Sequence, residues 1–431
     1  MIPIFRSTDS KNLQRILRSG ETQLKKAEVA ARRILNDVRR EGDRALRRWT
    51  LELDKVDLAA SGFTVRHSEI VNAYKHAPEG FVDALQAAAR NIRKAARQQL
   101  PRSWRIKNGA GIEVGQIMRP LDCVACYVPG GRFPLPSTVL MSVIPAQVAG
   151  VREIVITSPS PAPAVLVAAD VLGIKKVFRL GGAQAIGAFA YGTESVPRAD
   201  KIVGPGNRYV AAAKKLVAGD CGIDFIAGPT ELMVVGAEGN PEWIASDLVA
   251  QAEHDPDAVA VFLTPSRKLA LEVQAAVERV LARVFDGDTT VASKALSSHG
   301  AVIVTQDLEE AIALVNMFAP EHLTLLDGAV RLLDRVRAAG SIFLGGTSPV
   351  AAGDYASGTN HILPTAGAAR VRGGLSAADF VKTISVQKLT AKGLGRIRKT
   401  VTTLANTEGL KAHAYSVETR FKIHGSTPKG R

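Results

Sequence analysis

Apolar residues recur three and four positions apart, with few glycines, across residues 10 to 100, so this stretch predicts a mainly helical segment. The run "EVAARRILNDVRREGDRALRRWT" shows its character: a buried stripe of Val, Ala, Ile and Leu faces one way and arginines face the other. From about residue 121 the period shortens. "REIVITSPSPAPAVLVAADVLGIKKVFRLGGAQ" reads as strand, loop, helix, a stop at Gly173, and a second strand, which is a βαβ unit with parallel strands. "DAVAVFLTPSRKLALEVQAAVERVLARV" and "GAVIVTQDLEEAIALVNMF" repeat the strand-then-helix order. The prediction is therefore an α/β protein with two Rossmann-like, parallel-sheet regions, near 121 to 235 and 236 to 375. Helical segments flank them, with helix returning after about 376 and a disordered end at "GSTPKGR".

Composition narrows the classes. With 431 residues, 46% of them hydrophobic, the chain can bury cores for more than one domain. The formal charge of +14 would suit nucleic acid, but the basic residues are threaded between apolar ones rather than gathered in a block. No nucleic-acid partner is expected, and a basic binding protein is kept as the contrasting class. Neither a signal peptide nor an apolar run long enough for a membrane span is evident, so a cytoplasmic protein without membrane contact is expected. Cys123 and Cys126 form a CxxC, but in an apolar, strand-like run with no second CxxC, which predicts buried small residues rather than a redox or zinc site.

Three glycine-bearing loops follow predicted strands: "YVPGGRFPLPSTVL", "GGAQAIGAFAYGT" and "KIVGPGNRYVAAAKKLV". Carboxyl ends of parallel strands are where such proteins bind ligands, and Tyr127, Gln184 and Asn207 stand at these loops, which points to a nucleotide site. The third loop comes nearest a dinucleotide signature but lacks the last glycine of GxGxxG. Elsewhere, Gln251 and His254 are three apart at the end of a predicted helix and could share one ion. Asp354 and His361 lie on an aperiodic loop, and Glu408 and His413 lie in the helical tail. A Gln, Asp and two-His set would suit a metal that also holds substrate. In "NMFAPEHLTLL", Pro320 ends a helix and a strand follows, so Glu321 and His322 sit on the seam, read either as a local cap with a satisfied imidazole or as a general base beside a water-activating carboxylate.

These segments, with "GIDFIAGPTE", "DLVAQAEHDPDA", "GDYASGTNHILPT" and "EGLKAH", resemble the histidinol dehydrogenase family in order and spacing along the whole chain. The resemblance implies one zinc per subunit held by Gln251, His254, Asp354 and His413, and NAD contacts at Tyr127, Gln184 and Asn207. It implies catalysis by Glu321 and His322, and substrate contacts at Thr230, Gln251, His254, His322, Asp354, His361, Glu408 and His413. It further implies a homodimer in which the C-terminal segment donates Glu408 and His413 to the neighbour's site. The domains it implies are interleaved: an arm over 1–20, a larger α/β domain over 21–126 plus 236–375, an inserted NAD-binding domain over 127–235, and a helical segment over 376–431. The implied reaction is the four-electron oxidation of L-histidinol through the aldehyde to L-histidine with two NAD, at the end of histidine biosynthesis. Thr230 stands where serine is usual, Arg132 and Phe133 follow "YVPGG", and "SGTNH" departs from the usual loop. Relatives of this fold act on other small alcohols, so a dehydrogenase of a sulfonated propanediol is the alternative, against which Glu408 and His361 argue.

Overall fold

The computed structural model describes residues 1–19, 24–130, 133–286 and 290–422, so the predicted disordered end at 425–431 and Arg132 lie outside the described residues. The chain divides into two compact units: Met1–Gln99 with Leu121–Phe380, and Leu100–Pro120 with the chain from Val381 onward.

The first unit holds two parallel sheets. The five-stranded sheet runs, edge to edge, Val177–Phe178, Glu153–Thr157, Cys123–Tyr127, Lys201–Val203 and Gly222–Ile223. Its central strand is buried throughout because both faces are covered, as parallel sheets require. Alternate residues serve alternate cores: Cys123, Ala125 and Tyr127 pack with helices Lys25–Glu41, Asp43–Asp54 and Gly182–Tyr191, while Val124, Cys126 and Val128 pack with Phe81–Gln98, Pro136–Ala149 and Pro163–Val171. The CxxC is buried and unpaired as expected, and burial pushes the thiols up to about 11 for Cys123 and about 12 for Cys126, so neither carries a thiolate at neutral pH.

The six-stranded sheet runs Ile4–Arg6, Ala301–Val304, Val259–Thr264, Glu231–Val235, His322–Leu325 and Ser341–Leu344, all parallel. Leu232 and Val234 face helices Pro241–Ala252 and Arg267–Phe285; Met233 and Val235 face Leu308–Phe318 on the other side. Both sheets reverse their strand order beside a central strand, and such reversals open the crevices in which open α/β sheets bind ligands.

The second unit corrects one expectation. The tail read as helix after about 376 enters this unit as the nine-residue strand Val381–Leu389, which pairs antiparallel with Ile112–Pro120, itself paired with Trp104–Lys107. Helices Ala391–Thr407 and Lys411–Lys422 follow. The strand has little buried surface, so its apolar and polar residues do not alternate, and its β-branched Val381, Thr383, Ile384 and Val386 were the available signal.

One buried ion pair braces the five-stranded sheet. Lys214, 2% exposed, contacts the Asp224 carboxylate and donates to the Gly204 carbonyl at 3.0 Å, while Asp224 accepts from the Gly204 N–H at 2.7 Å. Gly204 has φ of 116°, and a Cβ there would collide with the Tyr127 carbonyl oxygen, so this turn needs both glycine and an anchor. Lys214→Met would take away the only cation in direct contact with the buried Asp224 carboxylate among the described residues. The expected loss is about 3 to 5 kcal/mol of unfolding free energy, read from urea denaturation; a loss below about 1 kcal/mol would show that the pair does not brace the turn.

Candidate active site

The register of the six-stranded sheet builds the candidate catalytic centre. His322 is level with Leu232 on the neighbouring parallel strand, so Glu321 falls beside Glu231 at the amino ends of the two strands. The approach is set by helix Leu308–Phe318, which ends on Ala319 at φ 60°, a left-handed conformation unusual for alanine, followed by Pro320. That turn delivers Glu321 and His322 into the protein at 7% and 3% exposure.

Glu321 is held by donors. Its Oε2 accepts from the Thr230 hydroxyl at 2.5 Å and from the Glu231 N–H at 2.9 Å. Burial pushes its carboxyl up, against the opposing pull of His322, Thr230 and the Glu231 N–H. On His322, Nδ1 lies 3.1 Å from the Glu231 carbonyl. A carbonyl can only accept, so Nδ1 carries a proton there, and in the neutral ring Nε2 bears the lone pair. That Nε2 is buried without a hydrogen bond and faces Asp354 Oδ1 at 3.5 Å. Burial alone would lower the imidazole, but the charges of Glu321 and Asp354 outweigh it and push His322 up to about 9. For Asp354 burial acts upward, yet His322, followed by His361 and His254, holds the carboxyl below its usual range. His361 sits in the same cluster, its Nδ1 2.9 Å from the Asp354 carbonyl and its Nε2 3.2 Å from the Thr138 hydroxyl.

Thr230 links this centre to the expected metal ligands, because Gln251 Nε2 donates to the same hydroxyl that binds Glu321. With its amide nitrogen so engaged, Gln251 has its carbonyl oxygen free for a cation. His254 Nδ1 lies 3.1 Å from the Ala250 carbonyl, which by the same logic leaves Nε2 as a ligand nitrogen. Gln251, His254 and Asp354 thus have donor atoms of the right kind, Gln251 in the last turn of Pro241–Ala252, His254 two residues beyond it and Asp354 on the short helix Val350–Tyr355. Among the described residues no three His, Cys, Asp or Glu side chains make a ready metal cage. The remaining expected residues, Glu408 and His413, belong to the second unit, just after Ala391–Thr407 and within Lys411–Lys422.

The expected cofactor residues lie at the carboxyl edge of the five-stranded sheet, but not all on loops: Gln184 falls inside helix Gly182–Tyr191, and only Asn207 stands outside an element. Tyr127 closes its central strand, and its hydroxyl accepts the Gly182 N–H at 3.2 Å. Gln184 is fully buried; its Nε2 donates to Asp54 at 2.9 Å and its Oε1 has no hydrogen-bond partner. Asn207 caps helix Arg208–Val217 through the Tyr209 and Val210 N–H groups, directly after the Gly204 turn. Sequence reasoning missed Asp54, pushed up to about 6 by burial against Gln184 and Gly181, and nothing in "LELDK" marks it. It also missed Glu231, whose signal was an acid opening the otherwise apolar strand "ELMVV".

Two doubly wound sheets, glycine-rich loops at a switch point and a buried carboxylate–imidazole pair make an α/β fold equipped for acid–base chemistry, and the comparisons assign it to the dehydrogenases. The sequence matches the family described as histidinol dehydrogenase over residues 17–421. It is 47% identical to the histidinol dehydrogenase of Methanothermobacter thermautotrophicus over 396 residues, 90% of this chain and 92% of that protein. It is 43% identical to that of Brucella suis biovar 1 over 432 residues, 98% and 100% of the two chains. The crystal structure of histidinol dehydrogenase from Elizabethkingia anophelis superposes with a TM-score of 0.92 at 36% identity, covering 99% of each chain. The chain belongs to the histidinol dehydrogenase family.

The Thr230 hydroxyl is the joint between Gln251 and Glu321. Thr230→Val should lower kcat by about tenfold or more, because it strips a donor from one and an acceptor from the other, whereas Thr230→Ser should stay within about threefold of wild type. Steady-state kinetics decide it; a Val variant of wild-type rate would remove the hydroxyl from the mechanism.

Proposed function

We propose that this protein oxidises L-histidinol to L-histidine through the aldehyde, consuming two NAD and one water and releasing two NADH and three protons. The observation that carries this reading is the buried Glu321–His322 pair, in which Glu321 is fixed by two donors and His322 Nε2 makes no hydrogen bond but faces the Asp354 carboxylate at 3.5 Å. An alcohol oxidation needs a proton acceptor, and oxidation of the resulting aldehyde needs an activated water. In its neutral form, which the charges of Glu321 and Asp354 confine to pH above about 9, His322 takes the hydroxyl proton of the alcohol at Nε2. His322 releases that proton to solvent, Glu321 removes a proton from the water that adds to the aldehyde, and the again neutral His322 takes the proton of the hydrate in the second oxidation. NAD, when bound, supplies the hydride acceptor for both oxidations, and Tyr127, Gln184 and Asn207 are the residues proposed to hold it.

Zinc is proposed at Gln251, His254, Asp354 and His413. The free carbonyl of Gln251 and the lone pair at His254 Nε2 support it, since these atoms are what a hard, mixed-donor site requires. Bound there, the ion would supply orientation by holding the nitrogens of the substrate. His413 comes from the second unit, in our reading from a partner subunit together with Glu408, which makes the active form a homodimer. Thr230 and His361 complete the proposed substrate contacts. We place the enzyme in the cytoplasm; among the described residues no helix is long and apolar enough to cross a membrane. The sulfonated-propanediol alternative has no support from the relatives, which are histidinol dehydrogenases.

The test is the count of NADH formed per molecule of limiting L-histidinol. Two are expected, with turnover lost on chelation and regained with zinc; one NADH, or turnover indifferent to chelation, would overturn the four-electron reading or the metal assignment respectively. His322→Asn should abolish turnover while metal analysis still finds zinc, and an active variant would remove His322 from its role.

A further inference from the structure

We propose that Glu231 is a positioning residue of this active site, one that never touches substrate but fixes the peptide of Glu321 and thereby aims the Glu321 carboxylate at the water that hydrates the aldehyde. The inference rests on the functional reading above and adds a residue to it.

Glu231 is fully buried at the start of a strand whose other four residues, Leu232, Met233, Val234 and Val235, are buried and apolar. An apolar residue would fit that environment without desolvation, and a buried carboxyl is costly unless it is fully hydrogen-bonded. Both oxygens are engaged. Oε2 accepts from the Glu321 N–H at 3.2 Å and Oε1 from the Ala366 N–H at 2.9 Å. The contact with Glu321 is reciprocal, because the Glu231 N–H donates back to the Glu321 carboxylate at 2.9 Å. The Glu231 carbonyl accepts from His322 Nδ1 at 3.1 Å. One residue therefore meets both members of the catalytic pair, through its backbone N–H, its carbonyl and its side chain.

The second oxygen ties in a turn. Ala366 has φ of 53°, left-handed for a residue with a Cβ, and beside it the Thr365 hydroxyl accepts the Gly228 N–H at 2.5 Å. Glu231 thus joins the start of the Glu321 strand to the turn at 365–367. Two routes of influence follow, one directly through Glu321 and one through the turn, and only the first is the proposal.

The test uses full-length, zinc-loaded protein carrying Glu231→Gln, which keeps the side-chain shape but turns one acceptor into a donor. The expected result is a kcat for L-histidinaldehyde oxidation lowered about 10- to 100-fold, since small misplacement of a reacting group costs on that order, with KM within about threefold. Zinc per subunit stays at the wild-type value, and the oxidation of histidinol to aldehyde falls less than the second step. Adding Ala366→Gly, which relaxes the turn, should not restore the rate. The proposal is overturned by unchanged aldehyde oxidation, by equal loss in both steps, by a loss that tracks zinc content, or by restoration with Ala366→Gly. If Glu231→Gln does not fold, Glu231→Asp, which retains the carboxylate on a shorter arm, makes the same comparison; loss of folding in both assigns Glu231 to stability alone and overturns the proposal. Failure of the wild type to oxidise histidinol would remove the functional reading itself, an outcome visible without any variant.

Discussion

The proposed acid–base pair of this structure depends on the parallel pairing of strands Glu231–Val235 and His322–Leu325. The ladder sets Glu321 beside Glu231, and a slip of one residue would turn every side chain on one strand to the opposite face. The pairing is secured from both sides, by Leu232, Val234 and their helices on one face and by Met233, Val235, Leu323 and Leu325 on the other. The hydrophobic effect holds the register, and the register holds the chemistry. A carboxylate and an imidazole can be kept almost dry because the Glu231 N–H and the Thr230 hydroxyl donate to the one and the Glu231 carbonyl accepts from the other.

The two sheets use their edges differently. In the five-stranded sheet the candidate cofactor residues follow the carboxyl ends of strands, where Tyr127 and the Gly204 turn meet. In the six-stranded sheet the proposed catalytic pair sits at the amino ends. Hydrogen bonds from Thr138 towards His361 and from Asn360 to the Met141 carbonyl join helix Pro136–Ala149 of the first layer to the loop that follows Asp354. Within this unit the candidate cofactor loops and the proposed acid–base pair are therefore parts of one continuous framework. Buried polar links at the joints, such as Lys214–Asp224 and Thr230–Glu321, fix orientation where apolar packing alone would not.

Much of this was legible from periodicity. The βαβ order, the parallel sheets, the buried CxxC and the seam at Pro320 all followed from apolar spacing and turn residues, because burial on two faces writes itself directly into a strand's composition. The strand Val381–Leu389 did not, because it is largely exposed and carries no such imprint. Among site residues, Glu321, His322 and the glycine loops stood out locally; Gln251, His254, Asp354 and His361 were separate polar positions until the family resemblance grouped them.

The sequence by itself determined the class of fold, the residues available for acid–base chemistry and, through an ordered set of motifs, the family. Only the tertiary structure decided that Glu231 lies level with Glu321, that one threonine hydroxyl serves both Gln251 and Glu321, and that Asp54 holds Gln184. The reason is physical. Periodicity is a local consequence of which face is buried, whereas these contacts join residues between 21 and 130 positions apart, and the choice of neighbour is made by strand order and register.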